Sequence, residues 1–322
     1  MISSYSFIRL PQNQYTVMRI ICMTRKKKHQ STFLKKEGRA FWGFISPWLI
    51  GFILLTFGPM LYSFYASFTN WNGIKAPEFI GLENYRRMFM DDEKFLISLK
   101  NTAVYTVISV PVNLIIALVL AILLNRPYRG RTIFRSLLYL PSVCAGIAIF
   151  IVWTNLFNPY QGFLNYLLSL IGITGPDWLQ APKWAMPSLI LMNVTFCGST
   201  MLIFLAGLQN VPEMLYEAAK VDGANTIHMF FKITLPLVSP VIFYNLIMSM
   251  ISALQIFTQP MVMTKGGPID ATYVYGLHLY NNAFRYFDFG YSCALSWGLF
   301  LVIMLLSLAI IRSSNVWVYL EK

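Results

Sequence analysis

The segment LQNVPEMLYEAAKVDGANTIHMFFKITLPLVSP, which runs from Leu208 to Pro240, is a polar loop between two long apolar stretches. Pro212 is typical of a helix start, because the N–H that proline lacks is not needed in the first turn. Asp222 and Gly223 can supply the stop and the turn, and Asn225 or Thr226 can cap a second short helix. The segment therefore predicts a helix-turn-helix that is longer than a simple connector.

The first helix of this segment suits a contact with another protein. Ala218 and Ala219 carry small side chains, so the backbone of a partner can approach them closely. Glu217 and Asp222 can meet basic groups of that partner. The alternative interpretation is that Glu217 is an ordinary solvated helix charge, worth well under about 1 kcal/mol.

The composition outside this loop is typical of a membrane protein. Of the 322 residues, 57% are apolar and 12% are charged, whereas an ordinary soluble domain carries about 25% charged residues. A bilayer core of about 30 Å takes roughly 20 apolar helical residues to cross. Six long apolar stretches meet this requirement: Phe41 to Phe68, Thr102 to Leu124, Ile133 to Phe157, Met186 to Leu208, Leu237 to Met263, and Phe289 to Ile311. The predicted fold class is an all-α polytopic membrane bundle of six transmembrane helices with a helical cytoplasmic loop.

Basic residues are concentrated on one side of these stretches. The N-terminal segment, the second-to-third and fourth-to-fifth connections and the C-terminus hold 17 of the 25 Lys and Arg residues, but only five of the 13 Asp and Glu residues. Cytoplasmic segments of membrane proteins retain Lys and Arg, so both termini are expected in the cytoplasm. The net charge of +12 then reflects topology and attraction to membrane lipid, and nucleic-acid binding is not expected.

The domain organisation follows from this topology. Residues 1–40 are expected to form a basic cytoplasmic tail, residues 41–314 the six-span domain with its loop at about 209–236, and residues 315–322 a short cytoplasmic tail. Residues 1–23 are either a disordered extension or precede a natural start at Met23. The longest outer loop, residues 69–101, contains an amphipathic stretch around Leu82 to Phe89. This stretch is open to three readings: a helix along the membrane surface, a contact for an external partner, or a helix that packs on the bundle.

The sequence offers no catalytic, metal or cofactor site. The four cysteines include no CxxC pair, and His29, His228 and His278 share no ligand spacing, so scattered surface histidines are expected. There is no Gly-Lys dipeptide and hence no GxxxxGK[ST] phosphate loop, so ATP would bind to another subunit. HExxH and GxSxG motifs are also absent.

The cytoplasmic loop resembles the EAA motif of ABC importer permeases. The residues that carry this resemblance are Glu217-Ala218-Ala219, Asp222-Gly223-Ala224, Phe231, Ile233, Leu235-Pro236 and Pro240. In that family the loop is a coupling helix that docks on the ATPase subunit. The resemblance implies that Glu217 makes the acidic contact, that Ala218 and Ala219 form the tightly packed face, and that Gly223 forms the turn.

Three further stretches are similar to the carbohydrate-uptake branch of the family, the maltose, lactose and glycerol-phosphate type. They are Phe79-Ile80-Gly81-Leu82-Glu83-Asn84-Tyr85, Leu140-Pro141 and Met263-Thr264-Lys265-Gly266-Gly267-Pro268. The resemblance implies a type I importer permease of the bacterial cell membrane. Its implied partners are a second homologous permease, two ATPase subunits that bind ATP and Mg²⁺, and an extracellular solute-binding protein that delivers a sugar or polyol.

Polar and aromatic residues in spans four to six are candidates for the substrate path, because such residues are costly in lipid and usually face a bundle interior or a wet cavity. They are Asn193, Phe196 and Thr200 in span four, Asn245, Ser249, Ser252, Gln255 and Gln259 on one face of span five, and Tyr291 and Trp297 in span six. Amides can hydrogen-bond sugar hydroxyls, and aromatic faces can stack on a sugar ring. The alternative is that these residues pack and hydrogen-bond between helices.

Two other functions stay open on the sequence. A secondary transporter would need an ion-coupling site, commonly an intramembrane carboxylate, and no Asp or Glu falls within the six stretches. An importer permease for a peptide, an amino acid or a phosphate ester would keep the mechanism and change only the cargo.

Overall fold

A computed structural model describes residues 41–319 of the chain. The predicted N-terminal tail, including Met23 and His29, and the last three residues lie outside the described residues. The helices are α1 (Phe41–Ala66), α2 (Glu83–Met90), α3 (Glu93–Asn125), α4 (Arg131–Val143), α5 (Gly146–Leu156), α6 (Phe163–Leu170), α7 (Pro182–Gln209), α8 (Glu213–Val221), α9 (Thr226–Leu254), α10 (Thr258–Met263), α11 (Tyr275–Phe284) and α12 (Phe289–Trp317). A two-residue antiparallel pair, β1 (Thr69–Asn70) with β2 (Glu78–Phe79), follows α1.

Five of these helices, α1, α3, α7, α9 and α12, are long and apolar enough to cross a membrane. The bent pair of α4 and α5 makes a sixth span if it is counted as one. Helices serve as spans because lipid offers no hydrogen bonds to the backbone, so each segment must satisfy its own polar groups. The predicted all-α membrane bundle is confirmed.

The third predicted span, Ile133 to Phe157, is not one continuous helix. Its two halves, α4 and α5, meet at an angle of 101°. Cys144 and Ala145 between them adopt extended backbone angles that end α4. Gly198 of α7 packs against the end of α4 so closely that a Cβ there would overlap the Leu138 carbonyl oxygen. Apolar length alone could not reveal this bend, because length does not show where a helix changes direction.

The fifth predicted span, Leu237 to Met263, is also interrupted. The helix α9 ends at Leu254, and the separate helix α10 begins at Thr258. Pro260 lacks the N–H that would bond to the carbonyl of Ile256 in a continuous helix. That carbonyl instead faces α11, where it lies 2.6 Å from the position that a Cβ on Gly276 would occupy. The predicted single face through Gln255 and Gln259 is therefore wrong beyond Leu254.

The described chain divides into two compact units after Ser63, inside α1. Within the second unit the main core lies between α3, α7 and α9 and includes the buried residues Leu189, Met192, Met201 and Phe204. Many outward side chains are exposed and apolar, as expected of helices whose solvent is lipid. None of the most apolar window of α1 is buried. The predicted boundaries at residues 40 and 314 stay predictions.

The amphipathic stretch of the outer loop forms α2, and this helix packs on the bundle. Asn84 and Met88 are its buried residues. The side-chain amide of Asn84 donates to the carbonyls of Ser67 and Thr69, at 2.9 Å each. Met88 joins a second buried cluster with Phe95, Tyr275, Tyr291, Leu295 and Leu299. The packing alternative among the three readings of this stretch is therefore the observed one.

Candidate translocation path and coupling loop

A cavity of about 550 Å³ lies between α3, α5, α7, α9 and the break that follows α9. Of the residues that line this central cavity, none is charged. Its polar groups are amides and hydroxyls, with the amides supplied by Asn113, Asn193, Asn245, Gln255 and Gln259. Phe150, Phe196, Tyr244 and Phe257 are among its aromatic residues. Such a lining can hydrogen-bond and stack on a neutral, hydroxyl-rich molecule.

The lining of the central cavity is buried in part and exposed in part. Tyr105, Ser109, Asn245 and Gln259 are buried. Ser199, Tyr244, Met248, Ser252 and Gln255 line the cavity as well, yet their side chains are exposed. Lipid cannot satisfy these exposed polar groups, so they are expected to face water or another protein surface.

Eight of the ten candidates for the substrate path line the central cavity: Asn193, Phe196, Thr200, Asn245, Ser249, Ser252, Gln255 and Gln259. Gln255 follows the last residue of α9 and is exposed. Gln259 is 5% exposed, and both ends of its amide are bonded within the protein. Their contact with a cargo stays a prediction.

Tyr291 and Trp297 do not line the central cavity, and their assignment to the substrate path stays a prediction. Tyr291 is fully buried, and its hydroxyl donates to the carboxylate of Asp92 at 2.7 Å. Trp297 packs edge-on against Phe64, with ring centroids 4.9 Å apart. Both residues lie on faces of α12 that do not line the central cavity. The spacing of residues within one helix cannot show which of its faces lines a cavity.

A buried polar cluster, which the sequence did not reveal, joins the ends of α3, α11 and α12. Nε2 of His278 lies 3.0 Å from Oδ2 of Asp92, and Nδ1 lies 3.2 Å from the hydroxyl of Tyr273. Asp92 also caps α3 by accepting from the N–H of Phe95. The expectation of surface histidines is therefore wrong for His278, whose side chain is 4% exposed. The sequence signal that could have pointed to this cluster was Asp92, a helix-capping residue directly before α3.

The electrostatics of this cluster favour a neutral histidine beside an ionised carboxylate. Burial lowers the pKa of His278, and the neighbouring Asp92 offsets this effect only in part. Burial raises the pKa of Asp92, but the hydrogen bond from Tyr291 and the proximity of His278 outweigh it and hold the pKa below its usual value. Neutral His278 can then donate from Nε2 to Asp92 and accept at Nδ1 from Tyr273.

The loop that resembles the EAA motif forms α8 and a tight turn. Gly223 has φ of +79°, a conformation that glycine adopts without strain. The N–H of Ala224 donates to the carbonyl of Ala219 at 2.9 Å, which closes the end of α8. The side chain of Asn225 then accepts from the N–H of His228 at 2.7 Å. The predicted second short helix is not separate, because it continues as the first turns of α9.

The residues assigned to coupling lie on the surface of this loop. Glu217, Ala218, Asp222 and Gly223 are exposed, and Ala219 is half-buried. Apolar side chains beside them are also exposed, with Met214 at 70%, Val221 at 89% and Ile227 at 70%. A short helix with small and apolar residues open to solvent has the character of an interface core. Coupling through these residues stays a prediction.

The loop is tied to the membrane helix that follows it. The hydroxyl of Tyr216 in α8 lies 2.9 Å from the hydroxyl of Thr234 in α9. The same two membrane helices, α7 and α9, flank the loop at one end and line the central cavity further along. A displacement of α8 therefore has a direct covalent and packed route to the cavity walls.

Comparison with known proteins places the chain among transport permeases. It is 44% identical over 297 residues to the "Probable ABC transporter permease protein YesP" of Bacillus subtilis, covering 91% of this chain and 96% of that protein. It is 37% identical to the "Sulfoquinovosyl glycerol transport system permease protein SmoG" of Agrobacterium fabrum, over 79% and 82% of the two chains. It is 34% identical to the "Lactose transport system permease protein LacF" of Rhizobium radiobacter, over 83% and 91%.

The fold has a solved counterpart. A chain of a bacterial alginate ABC transporter, crystallised with an alginate pentasaccharide-bound periplasmic protein, superposes with a TM-score of 0.77 at 23% identity, covering 87% of this chain and 95% of that one. At that identity the likeness shows the fold alone. Residues 113–320 match the family described as binding-protein-dependent transport system inner membrane component. The chain therefore belongs to the inner-membrane component family of binding-protein-dependent transport systems.

Proposed function

We propose that this chain is a permease subunit that forms part of the path by which an ABC importer takes up a sugar or a related polyol. The observation that carries this proposal is the arrangement of α7 and α9, which line the uncharged central cavity and also flank the coupling loop. A force on α8 can therefore reshape the cargo cavity. Relatives named for lactose and for sulfoquinovosyl glycerol transport support a sugar as cargo.

The cargo assignment rests on the chemistry of the central cavity. We infer that Asn193, Phe196, Gln255 and the other polar residues of its wall contact the sugar through hydrogen bonds and stacking. A charged cargo would find no counter-charge in this lining and would depend on other subunits for one. The lining holds no carboxylate, and this disfavours an ion-coupled secondary transporter.

We infer that the partners are a second homologous permease, two ATPase subunits and an extracellular solute-binding protein. The exposed polar groups of the central cavity support the second permease, because lipid cannot satisfy them and another protein surface can. ATP and Mg²⁺ would bind to the ATPase subunits, since this sequence has no phosphate-binding loop. The family description, which names binding-protein-dependent transport, supports delivery of the cargo by a binding protein.

Glu217 and its loop are proposed to transmit the ATPase stroke. Exchange of Glu217 for lysine should place a like charge against the basic group that Glu217 is expected to meet, and such a placement at an interface costs several kcal/mol. In a reconstituted complex we expect normal membrane insertion and loss of ATPase association or of cargo-stimulated ATP hydrolysis. The matched control is Glu78→Lys, the same charge reversal at an exposed position of β2. Normal assembly, hydrolysis and uptake in Glu217→Lys would refute coupling through this residue.

Both termini are proposed to lie in the cytoplasm of a bacterial cell, with residues 69–101 outside. Asn72 and Arg129 are both exposed, so a single cysteine at either position should be reachable from its own side of the membrane. An impermeant thiol reagent added outside should label the cysteine at position 72 and not the one at position 129. The reverse pattern would overturn this orientation.

A further inference from the structure

One of the amide side chains that line the central cavity, that of Gln259, is buried and bonded at both ends. The side chain of Gln259, in the first turn of α10, accepts a hydrogen bond from the hydroxyl of Tyr105 in α3 at 3.2 Å. Its amide nitrogen donates to the carbonyl of Leu189 in α7 at 2.6 Å. The side chain of Gln259 thus links α3, α7 and α10, which are far apart in the sequence.

All three residues that make these bonds are buried. Gln259 is 5% exposed, Tyr105 is 2% exposed and Leu189 is fully buried. A buried polar group that loses its partner keeps the full cost of having left water, so these bonds are harder to break than they would be at the surface. Gln255, four residues earlier, lines the same cavity but is exposed. The two glutamines therefore have different parts to play.

The position of these bonds along the helices places them toward the outer end of the cavity. In the proposed topology α3 and α7 enter the membrane from outside, and Tyr105 and Leu189 lie in the first halves of these helices. α9 rises from the cytoplasm, and Gln259 lies beyond its end. The part of the lining that includes Ile203 and Tyr244 lies further toward the coupling loop along α7 and α9.

We propose that Gln259 is a positioning residue that keeps the outer end of the central cavity closed through its hydrogen bonds with Tyr105 and the Leu189 carbonyl. These two bonds are called the latch below. This inference rests on the proposed transport function and deepens it. The break between α9 and α10 allows the latch to open, because α10 is a separate short helix that can move without bending α9. Opening exchanges the two bonds for water or for hydroxyls of the entering sugar.

The test is the accessibility of a reporter cysteine beneath the latch. Ser249 lines the cavity one turn and a half before the end of α9, so Ser249→Cys in an otherwise cysteine-free chain reports entry from outside. The assembled complex, in right-side-out membrane vesicles without cargo, is labelled with an impermeant thiol reagent. Gln259→Leu, which removes both bonds at similar volume, should speed labelling roughly tenfold, since each lost bond shifts an equilibrium by a factor of about 2 to 12.

Two further variants make the result decisive. Tyr105→Phe deletes one oxygen and one of the two bonds, so labelling should rise by a smaller factor, and this variant tests the latch even if Gln259→Leu fails to assemble. The matched control is Gln161→Leu, the same change at an exposed outer-loop position, which should leave the labelling rate unchanged. An unchanged rate in Tyr105→Phe, and in Gln259→Leu where it assembles, overturns the latch. Labelling needs no cargo, so an absence of sugar uptake by the native complex would refute the proposed function separately.

Discussion

Replacement of Tyr291 by phenylalanine separates the role that the sequence suggested from the role that the fold gives this residue. The change removes only the hydroxyl, which donates to Oδ2 of Asp92 at 2.7 Å in a fully buried setting. The ring stays, so the Arg87 guanidinium that lies 4.2 Å from its centroid keeps that contact. Asp92 also keeps the N–H of Phe95 and the neighbouring His278.

The size of the effect follows from the lost bond. A hydrogen bond to a charged group contributes about 1.5–3 kcal/mol, and the side chain of Asp92 is only 15% exposed, so water replaces little of it. One kcal/mol corresponds to about 2–4 °C in Tm for a domain of 150–250 residues. We therefore expect Tyr291→Phe to lower Tm by roughly 3 to 12 °C. Cargo affinity should not change, because Tyr291 lies away from the central cavity.

The assay pairs thermal unfolding of the purified protein with uptake kinetics of the reconstituted complex. Tyr160→Phe is the matched control, since Tyr160 is 91% exposed and should give a change within about 0.5 kcal/mol. Gln255→Leu is the opposite case: it should leave Tm nearly unchanged and raise KM about 2- to 12-fold through a lost cargo bond. A Tyr291→Phe protein with unchanged Tm and weakened cargo affinity would refute the structural role and restore Tyr291 to the substrate path.

Two further predictions concern the buried cluster and the bent span. The folded-state pKa of His278 lies below its ordinary value, so the unfolded chain binds this proton at a higher pH than the folded chain does. The free energy of unfolding should therefore fall as the pH is lowered below about 6.5. Between pH 7.5 and 5.5 the unfolding temperature of the native protein should decline more steeply than that of His278→Gln, and parallel curves would contradict this. Gly198→Ala should destabilise the protein by about 1–3 kcal/mol, because the added Cβ overlaps the Leu138 carbonyl. The control Gly43→Ala should not destabilise it, because a Cβ there meets nothing within 4 Å. Equal unfolding temperatures for the two variants would show that α4 can move aside.

Much of the membrane architecture could be predicted because its cause is local. Apolar length marked the spans, since a helix that faces lipid must be apolar along its whole path. The stop at Gly223 and the cap at Asn225 were predicted from single residues, because a turn with positive φ and a capped N–H are decided within a few positions. Eight of the ten candidates for the substrate path do line one cavity, although their contact with a cargo is untested.

The predictions that failed depend on contacts between distant segments. Gly198 of α7 lies against Leu138 in the bent pair, and Gly276 of α11 lies against the Ile256 carbonyl in the break after Leu254. The hydrogen bond of Tyr291 could not be predicted either, because its partner Asp92 lies 199 positions away. His278 was expected at the surface for the same reason, because its burial comes from α3 and α12 rather than from its own neighbours.

The sequence by itself determined the class of this protein: six apolar stretches, a positive-inside charge pattern and a polar loop with small residues between acidic ones. These features act within one segment or at one membrane surface, so they are visible in the order of residues. Only the tertiary structure decided which polar side chains meet in the central cavity and which, like Tyr291 and His278, lie away from it and are satisfied by other helices. Hydrogen bonds between helices depend on rotation and tilt, and those are set by the packing of all the helices together.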